Sequence, residues 1–455
     1  MLLSQGRLRQ TILALTLISV LACSFLLFRA DVFEKLRVPQ QFKSEVLSPP
    51  KPTPLYKATP ELRPDITDNF PRATEANSSS ALPEIPPWNK PPQPHVKEKT
   101  PLFIGFTRNW RLLQQVVVSY IAAGWPPEDI YVVDNSGVMQ SNQKGLLTLQ
   151  NPFYLNYSRL TTLLEVNVLT TPTLLTFAQL QNFFTSTALE KEWEHYFWAH
   201  MDSPVVSDEE YEEQGQYRSL YTRAVTVMRE TMQPDYGPLA ARWFAYDRLS
   251  LVRTQAYVDV GGWDTLIPFY MTDCDMHERL WMRNFTIEDA KAGLVYDVAS
   301  GIDDLEIFYR RKPTSAKEEE PPAAVMKPDG RNSPEYHELL RNLDEMQRAK
   351  NEDKAGRNTW QSAQQGGQGE PFYRDGAGFE QGISMTMNFG RDVFEAKWGR
   401  GPCNLREAGV GENDAWRLVP GWEEESLQRQ ARKDREIGMK QRQKKQKENQ
   451  QRARS

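Results

Sequence analysis

Short apolar runs and helically spaced apolar positions alternate along the chain from residue 101 onward. The runs predict buried strands, and the spaced positions predict helices with one face against a core. Strands that alternate with helices form βαβ units, so the pattern predicts an α/β domain with a parallel sheet. The predicted strands are Leu102–Phe106, Ile130–Val133, Leu163–Leu169 and His195–Ala199, and the predicted helices are Trp110–Ala123 and Phe177–Glu190.

An uncharged apolar stretch lies near the N-terminus, from Thr11 to Phe28. Its eighteen residues just reach the length with which a helix spans the hydrocarbon core of a membrane. A cleaved signal peptide is the alternative, because the small residues around Cys23 offer a cleavage site. The apolar run continues past that site, which favours an uncleaved anchor over residues 11–29 behind a cytoplasmic tail of residues 1–10.

Residues 30–100 are rich in proline, with 14 of the chain's 31 prolines among them. Proline removes backbone donors and favours extended conformations, so the segment is interpreted as a stem. An ordinary disordered region is the alternative that composition leaves open. Anchor, stem and following domain together predict a single-pass type II membrane glycoprotein whose domain, residues 101–310, is lumenal. Acceptor sequences for N-glycosylation begin at Asn77, Asn156 and Asn284.

The composition excludes several classes of function. With 55 Lys and Arg against 60 Asp and Glu, the net charge is −5, so the chain has no overall positive charge that would attract nucleic acid. Three cysteines are too few for a disulfide scaffold or a four-cysteine zinc module. The chain has neither Gly-x-Gly-x-x-Gly after the first predicted strand nor a Gly-Lys-Ser/Thr loop. A nucleotide bound here would therefore need carboxylates and a divalent metal to hold its phosphates.

Two carboxylates follow predicted strands. Asp134 comes directly after the second strand, and Asp202 comes shortly after the fourth. Ligands of open α/β sheets bind beyond the carboxyl ends of the strands, so both side chains are expected at the ligand-binding edge.

The densest group of charged residues lies between Asp273 and Arg279. Burying unpaired carboxylates is costly, so this group is either solvated or used in chemistry. If a helix starts near Thr272, which is a favourable N-cap, Asp275 and Arg279 lie four residues apart on one face. An exposed helix start is the alternative, and His277 is interpreted as a solvated helix residue.

Five motifs follow one another in order: Asp134-Asn135-Ser136, His200-Met201-Asp202, Gly261-Gly262-Trp263-Asp264, Thr272-Asp273-Cys274-Asp275 and Arg279. This order resembles that of nucleotide-sugar-dependent glycosyltransferases with the GT-A fold, and it looks most like the family 2-type inverting group. The resemblance covers about residues 101–309, and its most specific part is the Gly-Gly-Trp-Asp run followed by Asp-x-Asp and an arginine. It implies a Rossmann-like α/β fold in which helices flank a mixed, mostly parallel sheet.

The resemblance assigns roles to individual positions. It implies that Thr107 and Arg108 meet the nucleobase and that Asp134 hydrogen-bonds the uracil or the ribose. Asp273 matches the carboxylate that takes a proton from the acceptor hydroxyl, a role that suits an ionised aspartate. The other matches are Asp275 and Arg279 as supporting catalytic residues, Gly262 and Trp263 beside the donor or acceptor, and Asp202 as a metal ligand.

The resemblance also implies a divalent metal, Mn²⁺ or Mg²⁺, that neutralises the diphosphate leaving group. Asp202 matches the metal-binding aspartate, but His200 stands where the family has another aspartate. Histidine can ligate Mn²⁺, and packing of His200 at the strand end is the alternative. Asp297 is a candidate for a further ligand, with an exposed strand-end carboxylate as its alternative interpretation.

The pattern beyond the domain predicts an extension, residues 311–422, that packs back onto it. A helix is expected at Glu335–Lys350, and the apolar segment Gly382–Gly401 is expected to cover part of the acceptor side. Cys274 can pair with Cys403 in an oxidising lumen.

We therefore expect a glycosyltransferase of the Golgi or ER membrane that moves a hexosyl or N-acetylhexosaminyl group. The donor would be linked to UDP or GDP, the acceptor would be a hydroxyl of a glycan or glycoconjugate, and the anomeric configuration would invert. The alternative is a catalytically inactive GT-A-like protein that serves as a lumenal binding or scaffold subunit, because His200 replaces an aspartate. Residues 423–455 are charged and predict a solvated or disordered tail, and a lumenal protein has no nucleic acid as partner.

Overall fold

A computed structural model describes residues 65–92, 98–233, 236–311, 326–352 and 365–424, with the short pieces 53–58 and 432–433 and residues 19, 435 and 437. The chain divides into two units, Met1–Glu61 and Leu62–Ser455, and the elements below belong to the second. The expected anchor at residues 11–29 lies, apart from Ser19, outside the described residues, as does most of the expected tail. Among the described residues, none of the helices combines the length and apolarity that a membrane span requires.

The described strands form one main sheet and two small two-stranded sheets. In the main sheet, the order is β10-β8-β9-β4-β1-β2-β3, and β9 alone runs against its neighbours. This mixed, mostly parallel sheet confirms the α/β prediction. The strands are β1 (Leu102–Phe106), β2 (Ile130–Asp134), β3 (Asn167–Thr170), β4 (His195–Ala199), β5 (Val205–Val206), β6 (Glu212–Glu213), β7 (Gln216–Tyr217), β8 (Leu239–Trp243), β9 (Leu249–Arg253), β10 (Thr286–Asp289) and β11 (Leu294–Val295).

Helices cover both faces of the sheet. Alternate residues of a strand point to opposite faces, so β1 contributes to two cores. Ile104 packs in the core that contains α2 and α5, while Phe103 stacks on Phe184 of α4 with ring centroids 4.8 Å apart. The helices are α1 (Pro71–Glu75), α2 (Trp110–Ala122), α3 (Met139–Gln143), α4 (Phe177–Glu190), α5 (Leu220–Thr231), α6 (Thr254–Asp259), α7 (Thr272–Met282), α8 (Pro334–Glu352) and α9 (Gly376–Trp398).

The predicted third strand is wrong in most of its length. Arg159–Leu163 forms one turn of π-helix, and β3 begins only at Asn167. Leu164 and Val166 are nevertheless buried in the main core. A short apolar run satisfies burial equally well as helix or as strand, so its pattern does not separate the two.

The second half of the Pro-rich segment belongs to the folded domain, contrary to the expectation of a stem up to residue 100. Phe70 is 0% exposed and stacks on Tyr309 at 6.2 Å between centroids. The Asn69 side chain donates to the carbonyl of Ile302 at 3.2 Å. Proline is compatible with the first turn of a helix, where Pro71 lies, so proline content did not prevent this segment from folding.

The C-terminal extension packs onto the domain through α8 and α9. α8 matches the predicted helix Glu335–Lys350 within two residues at each end. A disulfide joins Cys274 to Cys403 and thereby ties the segment after α9 to α7. Both helices reach the carboxyl edge of the main sheet, where they line the cavity described next.

Candidate active site

A cavity of about 440 Å³ opens at the carboxyl edge of the parallel strands. The chain leaves β1 toward β2 on one side, whereas β4 pairs on the other side of β1. Ligands of α/β sheets bind at such a reversal of strand order. Residues directly after three strands line the cavity: Thr107 and Arg108 after β1, Asn135 after β2, and His200 and Asp202 after β4.

The cavity has an apolar side and a charged side. Its apolar lining comes from the sheet and from α4, and α9 adds a second apolar wall. Its charged lining combines carboxylates with cationic side chains. The apolar residues include Phe177, Leu180, Phe184, Trp198, Phe379, Ile383 and Met387, and the charged ones are Arg108, Asp202, Asp247, Arg248, Asp273, Asp297 and Lys350.

Asp273 lines the cavity from the first turn of α7. Its side chain is half-buried and accepts a hydrogen bond from the Tyr246 hydroxyl at 3.2 Å. The positive end of the α7 dipole stabilises a carboxylate at this position. Met271, with φ of 73°, occupies the N-cap, so the prediction of Thr272 as N-cap is wrong.

Two residues beside Asp273 have strained backbone conformations. Tyr246, with φ of 53°, and Met271 both hold left-handed backbone conformations. Such a conformation in a residue other than glycine costs about 1–3 kcal/mol, and strained residues cluster at functional sites.

His200 interacts with Asp247, a carboxylate that the sequence did not single out. His200 Nε2 lies 3.6 Å from Asp247 Oδ2, and Nδ1 lies 3.9 Å from Asp202 Oδ1. Burial would lower the pKa of His200, but the nearby carboxylates, Asp247 first, raise it above its ordinary value. The pKa of Asp247 is lowered, because His200 outweighs the effect of burial. This pairing favours a protonated imidazole, which has no lone pair for a metal.

Lys350 bridges the two other candidate metal ligands. Its ammonium donates to Asp202 Oδ2 at 2.9 Å and to Asp297 Oδ1 at 2.5 Å, with the Val298 carbonyl at 3.3 Å. Arg248 Nη2 lies 3.6 Å from Asp297 Oδ2. Asp297 is buried, so its interpretation as an exposed strand-end carboxylate is wrong.

The predicted metal ligands do not fit a divalent ion in this arrangement. The two carboxylates share the ammonium of Lys350, and His200 pairs with a third carboxylate. A metal would have to displace a buried cation from both of its partners. Within the part of the chain that the structure describes, no group of three His, Cys, Asp or Glu side chains is arranged to hold a metal.

Asp275 and Arg279 lie in a buried network away from the cavity lining. Asp275 is 0% exposed and accepts from Arg279 Nε at 2.8 Å and from Lys397 Nζ at 2.7 Å. Trp398 Nε1 donates to the same carboxylate at 2.9 Å. Arg279 also donates to the Gly262 carbonyl at 2.7 Å. The predicted spacing on one helix face is confirmed, and the pair holds the Gly-Gly-Trp-Asp loop and α9 against α7.

Trp263 and Asp134 are likewise buried without lining the cavity. The backbone of Trp263 exchanges two hydrogen bonds of 2.8 Å with the Asn182 side chain, which fixes the loop to α4. The Asp134 carboxylate accepts from the Ser136 backbone at 2.9 Å and from the Tyr157 hydroxyl at 2.8 Å. Burial raises the pKa of Asp134 despite these bonds. These motif residues support the loops around the cavity but do not line it.

Arg108 connects the cavity to α9. It is 2% exposed, pairs with Glu380 and lies 4.7 Å from the centroid of the Phe379 ring. Burial lowers the pKa of its guanidinium, with Glu380 acting in the opposite direction.

The buried polar atoms of the lining without a hydrogen-bond partner among the described residues include the oxygens Gln181 Oε1 and Thr272 Oγ1. A buried polar atom without a partner costs about 1–3 kcal/mol, so each is an expected contact for a polar ligand.

Comparison with known proteins gives only weak likenesses. No protein-family model and no curated protein matches the chain. A mannosyltransferase from Pyrobaculum calidifontis, solved with GDP-Man and Mn²⁺, shares 11% identity over 45% of this chain, with a TM-score of 0.30. The chain spans 58% of that protein, which is less than two thirds of its length.

Two further solved structures are similar to the same degree. A cytidylyltransferase from Leptospira borgpetersenii shares 8% identity, with 55% of this chain and 97% of that chain covered and a TM-score of 0.30. The catalytic domain of a Drosophila β1,4-galactosyltransferase 7, solved with xylobiose, shares 13% identity, with 48% and 76% covered and a TM-score of 0.25. TM-scores this low establish neither the fold nor the activity of this chain.

Proposed function

We propose that this protein is an inverting glycosyltransferase that uses a UDP- or GDP-linked sugar and a hydroxyl acceptor on a glycan or glycoconjugate. The observation that carries the proposal is Asp273, a half-buried carboxylate in a cavity at the reversal of strand order. The unpartnered oxygens of Gln181 and Thr272 in the same cavity suit a ligand rich in hydroxyl groups.

Asp273 acts as the general base in this proposal. The acceptor oxygen attacks the anomeric carbon while its proton passes to the Asp273 carboxylate. The bond from that carbon to the diphosphate oxygen breaks, and its electron pair leaves with the nucleoside diphosphate. A single displacement from the face opposite the leaving group inverts the anomeric configuration. The Tyr246 hydroxyl, 3.2 Å from Oδ2, orients the carboxylate.

The direct test uses the full chain with a panel of UDP- and GDP-sugars and measures donor hydrolysis and transfer to mixed glycans. Asp273→Asn should lower transfer by about 10²- to 10⁴-fold, because the base is lost, and should leave UDP or GDP binding nearly unchanged. Asp289→Asn, at an exposed position of β10, is the matched control and should transfer like the wild type. Equal transfer by Asp273→Asn and the wild type would remove Asp273 from this role.

A catalytically inactive binding or scaffold protein is the second candidate. One observation favours it: Lys350 occupies the position between two carboxylates where the resemblance places a metal. This candidate predicts that the wild type binds a nucleotide or glycan but neither hydrolyses nor transfers any donor of the panel.

We also propose a Golgi or ER location with a single N-terminal anchor and a lumenal domain. The Cys274–Cys403 disulfide supports it, because disulfides persist in oxidising compartments. The exposed side chains of Asn77 and Asn284 are accessible to glycosylation. Treatment of cell-expressed full chain with an N-glycosidase should raise its gel mobility, and protease added to sealed microsomes should leave the domain intact. An unshifted band together with cleavage of the domain would contradict the location.

A further inference from the structure

Lys350 is a buried cation at the end of α8, in the C-terminal extension. It is 4% exposed and lines the cavity together with Asp202 and Asp297. A buried ammonium is costly unless it is paired and hydrogen-bonded, and both carboxylates meet that need here. Lys350 thus belongs to the cavity, although α8 lies outside the region of the glycosyltransferase resemblance.

Cationic side chains lie beside both carboxylates. Asp202 and Asp297 carry two negative charges, and Lys350 and Arg248 carry two positive charges within 3.6 Å of them. The two cations together supply the charge of one divalent ion at the place where such an ion was expected. Positively charged side-chain donors therefore lie at the place where a diphosphate would otherwise meet a metal.

We propose that Lys350 and Arg248 bind the diphosphate of the nucleotide-sugar and replace a divalent metal in the reaction. This inference rests on the proposed glycosyltransferase function and adds how its leaving group is held. The Val298 carbonyl, at 3.3 Å the most distant acceptor of the ammonium, is the partner that a phosphate oxygen displaces. The guanidinium of Arg248 offers the planar pair of donors that matches two phosphate oxygens.

These two side chains act electrostatically and transfer no proton. When the anomeric bond breaks, the electron pair stays on the terminal phosphate oxygen, and the ammonium and guanidinium stabilise that developing charge by hydrogen bonds. Asp202 and Asp297 hold the ammonium in place before and after the reaction. Lys350 and Arg248 contact the leaving group, so both are catalytic residues in this proposal.

The test measures UDP and GDP binding to the full chain by calorimetry, in excess EDTA and in Mn²⁺. The wild type should bind equally in both conditions, because the charge is supplied by side chains. Lys350→Met should bind about ten- to a hundredfold more weakly, which corresponds to the loss of a charged hydrogen bond. Arg348→Met, an exposed cation on the same helix, is the matched control and should bind like the wild type.

Each outcome separates this inference from the proposed function. If EDTA abolishes binding and transfer by the wild type and Mn²⁺ restores both, the inference is overturned and the glycosyltransferase stands. If the wild type binds neither nucleotide and turns over no donor in either condition, both fall. The EDTA comparison needs no variant, so it decides even if Lys350→Met misfolds. Lys350→Arg should retain metal-independent binding, because it preserves the positive charge.

Discussion

At the scale of single residues, the surroundings of His277 in the fold differ from those that its neighbours in the sequence suggest. It follows Asp273 and Asp275 in the chain, and its interpretation as a solvated helix residue is wrong. Its side chain is 5% exposed and packs against Trp243 at 4.9 Å and Trp263 at 6.3 Å between ring centroids. Burial lowers the pKa of His277, although two carboxylates act against it.

The lowered pKa predicts how His277 affects stability. The unfolded chain has the ordinary pKa of 6.5, so it binds more protons than the folded state once the pH falls below that value. The free energy of unfolding should therefore decrease on acidification below about pH 6.5 until the folded-state pKa is passed. His277→Gln should show a smaller decrease in urea unfolding measured over this range. An unchanged slope in His277→Gln would contradict the prediction.

The two carboxylates of the Asp-x-Asp run illustrate what the sequence could and could not predict. Residues two apart on a helix point about 200° apart, so Asp273 and Asp275 cannot face the same cavity. Helical geometry therefore predicts that at most one of them lines the cavity, but it does not say which. No sequence motif marked Asp247 or Lys350 as a site residue. Their importance comes from contacts with residues that are distant in the chain.

At the scale of elements, α9 has two parts with different surroundings. Its first half lines the cavity through Ile383 and Met387. Its last turn carries Lys397, which bridges Asp264 at 2.6 Å and Asp275 at 2.7 Å. The apolar residues predicted that this segment packs back onto the domain. The partners of Lys397 could not be predicted from the sequence, because Asp264 and Asp275 lie far from it along the chain.

Removing the cation of α9 should destabilise the fold. Lys397→Met leaves Asp264 without its ammonium and Asp275 with fewer buried donors, so we expect a loss of about 3–5 kcal/mol in the free energy of unfolding. Arg391→Met changes an exposed cation of the same helix and should cost at most about 0.5 kcal/mol. Urea denaturation of both variants measures the difference. Similar losses in the two variants would show that the buried network does not hold the helix.

Element boundaries were predicted well where polar or turn-forming residues border the element. β1, β4 and α4 coincide with the predicted ranges because each is a run of residues bounded by clear polar breaks. The Pro-rich segment was not recognised as part of the fold, since Asn69 and Phe70 reveal their packing only against Ile302 and Tyr309.

At the scale of the whole molecule, the disulfide links two regions 129 residues apart in sequence. It joins α7, which carries Asp273, to the segment that follows α9. The extension is thus bonded covalently to the element that bears the proposed base.

This link gives a prediction for the full chain. Alkylation of denatured, unreduced protein should modify Cys23 and leave Cys274 and Cys403 unmodified, as mass spectrometry would show. Cys403→Ser should lower the free energy of unfolding by about 2–5 kcal/mol, because the unfolded chain loses a long closed loop. Alkylation at all three cysteines would contradict the bond.

The division of α9 into two parts also bears on how such a protein can diversify. Ile383 and Met387 are partly exposed and border the cavity, whereas Lys397, which is bonded to Asp264 and Asp275, lies more than two turns further on. Substitutions at these two positions would reshape the cavity wall without touching the ion pairs of Lys397. Such variants would change the ligand that fits the cavity with little effect on the stability of the fold.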